Sequence, residues 1–121
     1  MTATSRTAAC SGLLIALFSS AIAQAQTASA QTLWGYGVRS CADYVAACEQ
    51  EDAGDAAEFQ RYEDWLTGFI SGLSLATGEN MLGGSGIGSA MRRTRAFCER
   101  KPDQDFFNAS MDFVRTLQGF D

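Results

Sequence analysis

Read as apolar and polar positions, the chain falls into two parts that meet near Trp34. Ahead of it, Leu13-Leu14-Ile15-Ala16-Leu17-Phe18 is an unbroken apolar run, preceded by Arg6 with no acid and followed by small residues. Beyond it, apolar residues recur at spacings of three and four, the period of amphipathic helices. Ser40 opens the first helix, and Asp43 completes an S-x-x-D capping pattern. Cys41, Tyr44, Val45 and Cys48 then share one face. This helix runs out in the acidic stretch from Glu49 to Asp55.

Asp55 and Glu58 form a second capping pair ahead of a long helix. Its stripe is Phe59, Tyr62, Leu66, Phe69 or Ile70, and Leu73, widened by Trp65. Gly68 and Gly72, four apart, are expected to let another backbone pack closely inside the domain. The glycines between Gly78 and Gly86 end that helix and read as a flexible hinge. A third helix runs from Ile87 to Arg95 or Cys98, with Ile87, Ala90, Met91, Thr94 and Cys98 inward and Arg92, Arg93 and Arg95 outward. Lys101-Pro102-Asp103 breaks the chain, and Pro102 suits a helix start. The last helix carries Phe106, Ala109 or Ser110, Phe113, Val114 and Leu117, with Phe107 adjacent. No stretch alternates as a strand does. The expected fold is all-α, a small four-helix bundle over residues 40–118.

The leading segment has a different purpose. Ala21-Ile22-Ala23 and Ala23-Gln24-Ala25 are both A-x-A sites, so residues 1–23 are predicted to be a secretory signal peptide, cleaved after Ala23 or Ala25. Its apolar core is about ten residues, half the roughly twenty a bilayer needs, so no membrane span is expected after cleavage. Cys10 precedes the apolar core, where a lipidated cysteine would follow it. Residues 24–39 read as a flexible leader, although Trp34-Gly35-Tyr36-Gly37 could fold back onto the body. The expected location is periplasmic or secreted.

Composition narrows the chemistry. At 46% apolar and 19% charged residues, the balance is that of a globular domain rather than a disordered chain. The net charge is −5, and an acidic surface repels phosphate backbones, which argues against nucleic acid as a partner. There is no histidine, and Lys101 is the single lysine. That removes Ser-His-Asp and Cys-His nucleophiles and histidine-ligated zinc. The chain is therefore read as a non-enzyme, with no catalytic residue, cofactor or metal.

Other constellations have plainer accounts. Gly83-Gly84-Ser85-Gly86-Ile87-Gly88 has neither a G-K-[ST] ending nor a preceding strand, so it is not read as a phosphate loop. Glu58, Glu63 and Asp64 lie on the polar side of a helix, where solvated carboxylates belong. Arg92, Arg93, Arg95, Arg100 and Lys101 are expected to balance the acidic 49–64 region within the fold, with docking of an acidic partner the other use.

Loss of residues 1–23 leaves three cysteines, an odd number. Cys41 opens one helix and Cys98 closes another, both on apolar faces, which favours Cys41–Cys98 in an oxidising compartment. Cys48–Cys98 competes, so Cys48 is free or an alternative partner. A Cys41–Cys48 bond is excluded if their helix is intact, because seven residues span about 10 Å. Three separated thiols also lack the C-x-x-C spacing of zinc sites. The exposed remnant of the Phe59–Leu73 face, with Tyr62 and Trp65, is the expected protein-contact surface. Phe59, Leu66 and Phe69 are expected to be core.

The segments Cys41-Ala42-Asp43-Tyr44, Tyr62-x-x-Trp65-Leu66-x-Gly68-Phe69-Ile70-Ser71-Gly72 and Cys98-x-x-x-Pro102-x-x-x-Phe106-x-x-Ala109-x-x-Phe113-Val114 resemble the small exported helical proteins of the HdeA/HdeB acid-stress chaperone group. They are also similar to Tai/Rap-type immunity proteins, which block peptidoglycan amidase effectors in the periplasm. The resemblance implies a bridge between Cys41 and Cys98. It also implies a periplasmic, non-catalytic protein whose partners are other proteins, either unfolded clients or a secreted effector. Self-association into a homo-oligomer is compatible with both. Non-reducing mass spectrometry of exported protein checks the leader and the bridge: a chain beginning at Gln24 or Gln26 with two cysteines oxidised is expected. An intact leader with every sulfur reduced overturns both.

Overall fold

The computed structural model describes residues 32–119. The predicted signal peptide and residues 24–31 of the expected leader lie outside the described residues. Four helices follow in order: α1 (Cys41–Asp52), α2 (Ala57–Thr77), α3 (Ile87–Arg100) and α4 (Phe106–Gln118). A single 3₁₀ turn, Gly35–Val38, precedes them, and no strand occurs among the described residues. The domain is the small four-helix bundle that the apolar periodicity predicts.

Local chemistry sets the helix ends. Ser40 Oγ accepts the Asp43 N–H at 3.1 Å, the predicted cap of α1. At α2 the pattern works differently. The helix begins one residue later than expected; Asp55 Oδ1 accepts the Ala57 N–H at 3.2 Å, and Glu58 turns away to the Tyr36 hydroxyl. Gly78 ends α2 with φ +74°, a left-handed conformation that costs glycine nothing. Pro102 does not start α4. Asp105 does, its Oδ1 accepting the Asn108 N–H at 2.7 Å.

The core forms around three rings. Tyr44, Tyr62 and Phe106, one each from α1, α2 and α4, lie with centroids 4.6 to 5.0 Å apart at steep mutual angles. Such edge-to-face pairs set positive ring edges against negative ring faces. The fourth helix joins through a hydrogen bond: the Tyr44 hydroxyl donates to the Met91 carbonyl of α3 at 2.9 Å. Burial raises the pKa of both phenols, that of Tyr62 to about 12, so both remain protonated donors at neutral pH.

Covalent and backbone links close one end of the bundle. Cys41 and Cys98 form a disulfide across 57 residues, tying the start of α1 to the end of α3. On the chain-entropy model such a loop contributes about 4 kcal/mol. Beside it, the Cys41 N–H donates to the Gln104 carbonyl at 2.8 Å, and the Phe106 N–H donates to the Arg39 carbonyl at 2.9 Å. α1 and α4 therefore start side by side.

Three expectations need correction. Gly68 and Gly72 mediate no close packing: both are exposed, and a Cβ on either meets nothing within 4 Å. They sit about 160° and about 120° around α2 from Leu66, away from the core stripe. The Gly78–Gly86 connection is not a free hinge, because Met81 is buried and its N–H donates to Ser74 Oγ at 3.2 Å. The third correction concerns the leader. Its last residues are ordered, as the turn at Gly35–Val38 packs against α2 and α4. Because Gly68 and Gly72 do no packing inside the domain, Gly68→Ala and Gly72→Ala should each raise stability by about 0.5–1 kcal/mol in urea unfolding. A loss of stability would mean that these positions have a partner.

Candidate functional site

Trp65 is the point where the aromatic core reaches the surface. Its ring meets Phe106 edge-on at 5.7 Å and stacks on Phe69 at 5.2 Å; Phe69 in turn meets Phe107 edge-on at 5.5 Å. The segment 34–39 lies across this layer as a strap. Trp65 Nε1 donates to the Trp34 carbonyl at 3.0 Å. The Tyr36 hydroxyl donates to Glu58 Oε1 at 2.9 Å, and its ring stands edge-on to Tyr62 at 4.7 Å. Gly37 is buried so close to the indole that a Cβ would collide with Trp65 Cζ2 and Cη2. No other residue type allows that approach.

The outer side of the strap is apolar. Trp34 is 78% exposed and Val38 57%. Leu75 on α2 is exposed too, but it stands alone on its helix, whereas Trp34 and Val38 stand at the two ends of one four-residue turn. Of the two predicted contact residues, the structure separates Trp65 from Tyr62. Trp65 is half-buried beneath the strap, whereas Tyr62 is 1% exposed and cannot touch a partner. Tyr62, Leu66 and Ile70 recur at intervals of four, which places Tyr62 on the inward stripe of α2. Leu66 is core as expected; Phe59 and Phe69 are partly buried at its margin.

A second feature lies between α1, α2 and α3. A cleft of about 350 Å³ has Tyr44, Cys48, Phe59 and Met91 on its floor and charged residues on its rim. Cys48 is the unpaired cysteine among the described residues and is buried. Burial raises its pKa, which keeps it a thiol and opposes nucleophilic use. On the rim, Arg95 pairs with Asp52 at 2.9 Å and with Glu99 at 3.0 Å, and these hydrogen bonds raise the guanidinium pKa further. Half-exposed pairs of this kind contribute under about 1 kcal/mol each. Arg95 is the member of the basic cluster that reaches the acidic 49–64 region; Arg92 bonds to Ser89 Oγ instead.

Sequence patterning allowed this segment to fold back but did not specify what it covers, because its contacts are made to residues more than twenty positions away. The Trp-Gly-Tyr-Gly spacing was the available signal, since small residues between aromatics permit close stacking. Among the described residues, no helix is long and apolar enough to cross a membrane, and no group of three acidic, cysteine or histidine side chains is placed to hold a metal. Comparison with protein-family models, curated proteins and solved structures finds no match to the chain.

The strap can be displaced by one methyl. In a Trp34→Phe background, where Trp65 is the sole indole, Gly37→Ala should shift Trp65 emission to the red and cost about 1–3 kcal/mol. Unchanged emission would show that the strap does not cover Trp65.

Proposed function

We propose that the chain is an exported, non-catalytic module that binds other proteins, acting in the periplasm or outside the cell. The observation that carries this reading is the strap. Trp34 and Val38 stand out of the surface at the two ends of a turn whose Gly37 lies on Trp65, where the aromatic layer continues to the core. Large aromatic side chains at a surface supply contact area at low entropic cost, which is why they dominate protein contacts. The bridge between Cys41 and Cys98 supports export, since such bonds persist in oxidising compartments.

Charge supports an acid-stress chaperone as the specific form. Once residues 1–23 are removed, eight basic residues face fourteen acidic ones, a net charge of −6. Protonating all fourteen carboxylates takes the chain toward +8, and self-repulsion then loosens compact structure. Release of the strap would add Trp65 and Tyr62 to the exposed aromatic surface, while the disulfide keeps α1 and α3 together. The alternative is an immunity protein that neutralises a secreted peptidoglycan amidase. It draws on the exposure of Trp34 in the intact fold, which needs no acid.

Mixing the protein with an aggregating client at about pH 2–3 separates the two. Suppressed aggregation that weakens in Trp34→Ala supports the chaperone form. No protection at molar excess ends it, and neutral-pH binding of an amidase effector, lost in Trp34→Ala, then supports the immunity form. Failure of both assays overturns the strap as a contact surface.

A further inference from the structure

We propose that the groove between the end of α3 and the outer face of α4 captures the terminal carboxylate of a peptide. The groove encloses about 310 Å³, toward the small end of ligand sites. Its lining is polar apart from the Phe97 ring: Lys101 and Gln104 come from the α3–α4 connection, and Asn108, Asp112 and Arg115 from α4. Intervals of three and four place those last three side chains on one face of the helix.

Two cations there are unspent. Acidic residues outnumber basic ones by fourteen to nine in the chain, yet neither Lys101 nor Arg115 forms an ion pair among the described residues. Lys101 Nζ stands 4.9 Å from the Phe97 ring centroid. That contact holds the ammonium at the groove without neutralising it. Arg115 Nε donates to the Met111 carbonyl at 3.2 Å, which anchors the guanidinium on its own helix and leaves both terminal nitrogens for a ligand. A planar carboxylate matches that fork.

Asp112 decides the ligand class. A phosphate dianion in this groove would meet the Asp112 carboxylate and be repelled. A peptide C-terminus carries a single negative charge with the amide N–H of the same residue beside it, so its carboxylate faces Lys101 and Arg115 while that N–H donates to Asp112. The half-buried carboxamides of Gln104 and Asn108 can pair with the peptide backbone, and Phe97 offers an apolar wall to the last side chain. Capture of a terminal carboxylate is a recurrent mode of peptide recognition. The groove shares no residue with the strap. It extends the protein-binding reading to a second surface and fails separately from it.

The test titrates the isotope-labelled full chain with an N-acetylated tripeptide ending in a free carboxylate, the same peptide ending in an amide, and inorganic phosphate. Saturable amide shifts at Lys101, Asn108 and Arg115 are expected with the free acid, with binding about tenfold weaker for the other two probes. Lys101→Gln and Arg115→Gln should each weaken the free acid several-fold with the remaining spectrum unchanged. The acid-against-amide comparison on the unaltered chain is decisive by itself if either variant misfolds. Equal binding of acid and amide, phosphate binding as tight as the acid, or no saturable shift overturns the groove. A chain that protects clients yet ignores the free acid loses only this inference.

Discussion

Tyr44 couples all four helices through one side chain. Its ring, carried by α1, packs edge-on against Phe106 of α4 and at a tilt against Tyr62 of α2, and its hydroxyl reaches the Met91 carbonyl of α3. A phenol in a core must find an acceptor, or its desolvation costs more than its ring contributes. Meeting that requirement fixes how far α3 can slide along α1. The disulfide, one turn before Tyr44 on α1, imposes the same register covalently. With both contacts in place, α3 has little freedom left.

The aromatic arrangement also links interior and surface. From Phe106 the rings continue to Trp65, Phe69 and Phe107, each step within 6 Å. A short strap lies on the indole of this layer, held by one indole hydrogen bond, one phenol–carboxylate hydrogen bond and a glycine that lets the chain lie flat on the ring. A few local contacts are a modest anchorage compared with a packed helix. Coverings of this kind open at lower free energy than the core beneath them. The strap is therefore the part of the domain where binding and local opening can be coupled.

Charge is arranged in a complementary way. Arg95 is committed to Asp52 and Glu99, where it ties the end of α1 to α3. Lys101 and Arg115 are uncommitted and converge on the α3–α4 groove. Of the five cations in the sequence's basic cluster, Arg95 alone is paired with carboxylates, and Lys101 alone lines this groove, beside Arg115 from α4.

Much of this was legible in the chain itself. Spacings of three and four defined four helices and assigned Tyr44, Leu66, Ala90, Met91, Thr94, Cys98, Phe106 and Phe113 to inward faces, all of them buried. Helix periodicity is a local property, since each residue's face depends on its near neighbours alone. It also eliminated Cys41–Cys48 and left two pairings for Cys98. The choice between them, the ordering of the strap and the idle surface of Gly68 and Gly72 depended on which faces met across the bundle. Those meetings join residues twenty to sixty positions apart, and no local pattern specifies them. Sequence alone determined the helices and their apolar stripes; tertiary packing decided what each stripe touched, because ring geometry and buried hydrogen bonds are satisfied only between elements.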